Sequence, residues 1–143
     1  MNKQLAIYFF EQVSKVFNFV VREHNFAPPQ IEMNEKINFT FVTFMGKNIA
    51  IECVLDEREA DVDCKISRVI NGKKVAHYAV DDKGVRVREG LHNLLRQRGV
   101  RERLFTKVGE LELRAQIKIT LADFAQMLKK YGQDILSDSP AAL

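Results

Sequence analysis

Two adjacent prolines, Pro28 and Pro29, separate segments of different hydrophobic period, so one type of regular element does not suit both sides. Before them, Leu5, Phe9, Val13, Val16, Phe17, Val20 and Val21 recur at three- and four-residue steps, the spacing of a helix that buries one face. Proline lacks the amide donor and restricts the residue before it, so the helix over residues 4 to 24 ends here, near Asn25. After a short linker the period becomes two. Residues 37 to 45 (INFTFVTFM) and 49 to 55 (IAIECVL) are rich in β-branched and aromatic residues and flank Gly46-Lys47-Asn48, so they read as a hairpin. Residues 62 to 70 (VDCKISRVI) give a third strand, Asn71-Gly72 a tight turn and residues 75 to 80 (VAHYAV) a fourth strand.

The side-chain pattern also predicts pairing. With residues 56 to 61 as a loop, Leu55 faces Val62, Cys53 faces Cys64 and Ile51 faces Ile66, which gives both strands the same apolar parity. The first hairpin has two solutions. A three-residue loop puts Phe39 and Phe41 on the face of Cys53 and Leu55; a two-residue loop puts Val42 and Phe44 there. In either case the other face also carries aromatics and needs cover from a helix, the rest of the chain or a second copy in a homodimer.

Asp81 to Gly84 is a turn, and Val87, Leu91, Leu94 and Leu95 predict a short arginine-bearing helix ended by Gly99. Residues 111 to 119 (LELRAQIKI) alternate strictly and suggest a fifth strand, although the alanine and leucines would also accept a helix. Thr120 and Asp123 resemble a capping box for a closing helix whose stripe is Leu121, Phe124, Ala125, Leu128 and Tyr131. The expected fold is α+β: an N-terminal helix, an antiparallel meander of four strands or five, the short helix and a C-terminal helix. Residues 1 to 136 form one domain and residues 137 to 143 a frayed tail.

No apolar run approaches the roughly 20 residues of a membrane span. Lys3 precedes an apolar stretch, but Glu11, Gln12 and Lys15 interrupt it and no small-residue cleavage site follows, so a cytoplasmic protein is expected. Two cysteines fit a reducing compartment. Glycine-rich phosphate loops, nucleophile elbows and paired-histidine or paired-cysteine metal motifs are absent, so the expectation is a non-enzyme without cofactor or metal. Cys53 and Cys64 would lie about 4.5 to 5.5 Å apart at Cβ, near the range of a disulfide, but read as small buried residues. His24 near a helix end and His92 on the arginine helix read as surface or capping groups, and His77 lacks a second ligand at zinc spacing.

Charge is the remaining signal. Residues 52 to 63 hold Glu52, Asp56, Glu57, Glu59, Asp61 and Asp63 against Arg58, net −5. Residues 86 to 103 hold six arginines against Glu89 and Glu102, net +4. Glu52 and Asp63 occupy outward strand positions, and Arg96 and Arg98 suit the last turn of a helix, where cations compensate the dipole. The loop acids Asp56, Glu57, Glu59 and Asp61 remain as a docking surface for a basic protein partner, speeding association by electrostatic steering. Arg86, Arg88, Arg101 and Arg103 remain as an anion or nucleic-acid site, or as the internal counterweight of the acids. Nucleic acid is the second choice, because only Phe105 lies near enough to stack a base.

Phe124 to Leu136, FAQMLKKYGQDIL, resembles the closing helix of small bacterial toxin-immunity-type proteins, in which an α+β body ends in a helix with a leucine, a tyrosine and an isoleucine-leucine pair at this spacing. The resemblance covers 13 of 143 residues. It implies a non-catalytic cytoplasmic protein that binds and blocks a partner, often a basic nuclease, and it assigns no individual binding residue.

Overall fold

The computed structural model describes residues 2–75 and 80–143. Helix α1, Lys3–Val16, starts where the Asn2 side chain accepts the Leu5 amide hydrogen at 3.1 Å, and it buries Leu5, Ala6, Phe9 and Val13. The helix expected over 4 to 24 is interrupted at Phe17 and resumes as α2, Asn18–Arg22. Asn25, at φ 62°, then turns the chain toward the prolines.

The sheet is a meander of β1 (Gln30–Asn34), β2 (Phe39–Met45), β3 (Ile49–Asp56) and β4 (Asp61–Ile70). Two short strands, β5 (Lys73–Lys74) and β6 (Arg88–Gly90), pair with different parts of β4. The register between β3 and β4 is the expected one, with Leu55 opposite Val62, Cys53 opposite Cys64 and Ile51 opposite Ile66. Between β2 and β3 the two-residue solution holds: Val42 lies opposite Cys53 and Phe44 opposite Ile51. This choice puts Phe44, Ile51, Cys53, Leu55, Cys64 and Ile66 on one fully buried face. Strand β1 falls in what reads as a linker, because only Ile31 and Met33 are apolar in it and both are substantially exposed. The expected fourth strand over 75 to 80 lies mostly outside the described residues, as does His77; Val80 makes an antiparallel bridge to Arg86.

Helix α3, Leu91–Gln97, buries Leu91, Leu94 and Leu95 and ends before Gly99, which sits at φ 96°. The fifth strand expected over 111 to 119 is instead the start of helix α4, Leu113–Tyr131. Strict alternation includes every i, i+4 pair, so a short alternating run also satisfies part of a helical stripe. Length decides it: Ile117, Leu121, Phe124, Ala125 and Leu128 form one buried stripe, while Leu111 is exposed. Thr120 and Asp123 are therefore mid-helix, and the Asp123 carboxylate accepts the Thr106 amide and hydroxyl hydrogens, both at 2.8 Å.

Helices α1 and α4 pack on each other and on the apolar sheet face, and Phe17 stacks against Phe44 at 6.0 Å between ring centroids. The tail expected to fray is docked. After α5, Gln133–Leu136, a 3₁₀ turn over Pro140–Ala142 leaves Ala142 and Leu143 buried. No helix among the described residues is long and apolar enough to cross a membrane.

Candidate functional site

The opposite face of the sheet is also covered, and by the chain itself. Phe41, Ala50, Glu52, Val54 and Ser67 lie on that face and are buried. Glu52 was expected to point outward; it does leave the apolar core, but its side chain is 0% exposed. Such burial requires cationic partners. Lys74 Nζ lies 2.7 Å from Glu52 Oε2, a guanidinium nitrogen of Arg88 donates to Oε1, and the Thr43 hydroxyl donates to Oε2 at 3.4 Å. Lys74 also sits 5.9 Å over the Phe41 ring. The two oppositely charged stretches thus meet through Glu52 and Arg88, neither of which is free for a partner.

Beside this buried group a cavity of about 780 Å³ is lined by Gln30, Glu32, Thr43, Lys47, Lys73 and Lys74, among others. Its first wall is the β2–β3 turn, which bears Lys47, its second the β4–β5 turn with the adjoining β5, which bears Lys73 and Lys74, and Gln30 to Glu32 of β1 also contribute to the lining. Asp138 holds the first wall by accepting the amide hydrogens of Lys47, Asn48 and Ile49 at 2.6, 2.9 and 2.8 Å. The Val69 amide donates to the Asn48 carbonyl at 2.9 Å and ties the second wall to the first. Sequence reasoning missed this cleft. The signals present were a single acid in the otherwise apolar strand IAIECVL and two lysines directly after the Asn71-Gly72 turn.

The docking acids lie at the other end of β3. Asp56 Oδ1 accepts the amide hydrogens of Arg58 at 3.1 Å and Glu59 at 3.3 Å, closing its own turn. Glu57 accepts the Asn2 amide hydrogen at 3.0 Å, at the positive end of α1. Glu59 and Asp61 are exposed. Among the described residues, none of the four forms an ion pair. Partial desolvation and the charge of Asp63 raise the pKa of Asp61 from its ordinary value, although Asp63 itself pairs with Lys65 at 3.2 Å.

The candidate arginines do not assemble into one site. Arg88 is committed to Glu52; Arg86 donates to Gln97 and lies 3.8 Å from Glu89. Arg101 and Arg103 are exposed, and each donates to a backbone carbonyl, of Arg96 and Phe105 respectively. Arg98, set aside as a helix-end residue, makes a paired contact with Asp134 at 3.0 and 2.8 Å and donates to the Ala142 carbonyl.

Cys53 and Cys64 are free and buried, and desolvation, with a hydrogen bond to Cys64, pushes the Cys53 thiol well above its ordinary value. An inert thiol is the consequence. His92 packs on Phe105 at 4.8 Å, with its pKa lowered by burial and by Arg96. Comparisons with protein-family models, with curated proteins and with solved structures found no match to this chain.

Proposed function

We propose that this chain is a small non-catalytic protein-interaction module of the bacterial cytoplasm, an inhibitor of immunity type that docks a basic partner through the acidic tip at Asp56, Glu57, Glu59 and Asp61. The observation that carries this reading is the difference between the two charged stretches. In the basic stretch Arg86, Arg88 and Arg98 are paired with Gln97, Glu52 and Asp134, and the exposed Arg101 and Arg103 donate to backbone carbonyls. Residues 56 to 61 keep a net charge of −3 with no cation paired to the four acids among the described residues. Uncompensated charge of one sign on an exposed turn attracts a partner of the opposite sign and raises its association rate. The likeness of Phe124 to Leu136 to the closing helices of immunity-type proteins points the same way.

The test is affinity capture from a bacterial lysate, followed by association kinetics with the captured partner. Replacing Asp56, Glu57, Glu59 and Asp61 by their amides slows association about tenfold or more at low salt, and the difference shrinks as salt rises. A partner that associates equally fast with the tetra-amide variant overturns the docking assignment. The arginine reading fares less well because Arg88 and Arg86 already have partners, which leaves only Arg101 and Arg103 to contact phosphate. No shift of mixed DNA and RNA by micromolar protein at low salt removes it.

A further inference from the structure

We infer that the lysine-lined cleft between the β2–β3 and β4–β5 turns binds a compact polyvalent oxyanion of the phosphate class, independently of the acidic tip. The argument begins with charge. Glu52 is shared by Lys74 and Arg88, so one buried carboxylate faces two cations whose side chains are only 18% and 12% exposed. The trio carries one positive charge in excess, in a place where uncompensated charge is costly. Lys47 and Lys73 add two more on the cleft walls and make no ion pair among the described residues; Glu32 supplies one negative charge on the lining. Counting the trio with these groups and the Asp138 carboxylate that clasps the first wall, the cleft is short of one negative charge.

Shape and rigidity support the same ligand class. About 780 Å³ is within the range of small-molecule sites and holds a phosphate ester with room to spare. Gln30 offers a neutral hydrogen-bond donor on the lining, whereas the Thr43 hydroxyl is already engaged with Glu52. Lysine ammonium groups are point charges that suit a phosphate approached from several directions. The walls are fixed before any ligand arrives, the first by three hydrogen bonds that backbone amides donate to Asp138 and the second by the hydrogen bond from the Val69 amide to the Asn48 carbonyl. A site that need not be ordered on binding loses less affinity to entropy.

Inorganic pyrophosphate is the probe, with citrate as a polycarboxylate of comparable charge, in calorimetric titrations of the whole chain at low ionic strength. Pyrophosphate is expected to bind with 1:1 stoichiometry and more tightly than citrate. The Lys47→Gln/Lys73→Gln variant is expected to bind it about tenfold more weakly or less. Both lysines are exposed, so this variant folds, and an unchanged circular-dichroism melt verifies that. Arg101→Gln/Arg103→Gln, remote from the cleft lining, is expected to bind as the unaltered protein does. Absence of binding at millimolar pyrophosphate overturns the inference. So does equal binding of citrate and pyrophosphate that survives in the lysine variant, which is diffuse counter-ion attraction. The tetra-amide tip variant separates the two proposals, because it retains pyrophosphate binding even if partner association is lost.

Discussion

Asp56 and Asp138 do the same job at opposite ends of β3, yet they reach it by different routes. Asp56 closes the turn that follows it, accepting amide hydrogens two and three residues ahead, and its neighbours Glu59 and Asp61 stay in solvent. Asp138 closes the β2–β3 turn from about ninety residues away in the chain. A turn closed locally costs the rest of the fold nothing and leaves its surface open to a partner. A turn closed from a distance ties the C-terminal segment to the sheet and stiffens whatever that turn carries, here Lys47. Among the acids, Glu52, Asp123, Asp134 and Asp138 tie distant parts of the chain together, whereas Asp56 closes only its own turn and Glu59 and Asp61 stay in solvent.

Substitution separates these two classes. The largest effect is expected at Glu52. Glu52→Ala leaves Lys74 and Arg88 buried without their counter-charge and costs roughly 3 to 5 kcal/mol, whereas Glu52→Gln costs less by keeping an acceptor. Urea unfolding at neutral pH checks both. Next is Asp138→Ala, expected to cost about 2 to 4 kcal/mol, because three amides lose a charged acceptor and the partly exposed ones recover water. Hydrogen exchange identifies the mechanism: the amides of Lys47, Asn48 and Ile49 lose protection while those of β4 keep it. Gly46→Ala tests the same clasp, since a Cβ there would meet the Ile49 carbonyl oxygen and the Asp138 carboxylate at 2.6 Å.

The same division explains what was legible in the sequence. Local signals carry the helical stretch before Pro28, apart from its break at Phe17, the Asn71-Gly72 turn with both residues at positive φ, and the pairing of Leu55, Cys53 and Ile51 with Val62, Cys64 and Ile66. These depend on period and turn chemistry within about a dozen residues. The errors were tertiary. Residues 111 to 119 satisfied two periods at once, and only packing of Ile117 and Leu121 against the core selects the helix. Ser137 to Leu143 has no periodicity that signals docking, yet Asp138 and the buried Leu143 anchor it. Strand alternation gives the face of Glu52 but not its burial, because the lysine and arginine that cover it, Lys74 and Arg88, come from other parts of the chain. The part of FAQMLKKYGQDIL that carries the resemblance has a structural role as well: Ile135 and Leu136 are buried and Asp134 pairs with Arg98.

At the tip the expected changes are small, and their smallness is what distinguishes it. The amide variant at Asp56, Glu57, Glu59 and Asp61 keeps every acceptor oxygen used in the turn, so each change shifts stability by no more than about 0.5 kcal/mol. A loss comparable to that of Asp138→Ala would move these acids into the structural class and remove their freedom to dock a partner.

The finest distinction concerns Asp61 and pH. Its folded-state pKa is raised above the ordinary 3.8, first by burial and then by Asp63, so the folded protein holds this proton more tightly than the unfolded chain does. The stabilising contribution is therefore full below the ordinary value and is lost as pH rises through the folded value. Asp61→Asn does not titrate, so its thermal midpoint relative to the unaltered protein should climb between about pH 3.8 and the raised folded value and stay level above it. Because Asp61 is exposed, the climb amounts to a fraction of the effect of Asp138→Ala. Midpoints measured from pH 3 to pH 7 decide it. A flat difference would mean that neither desolvation nor the charge of Asp63 disfavours the ionised form of Asp61 in the folded protein.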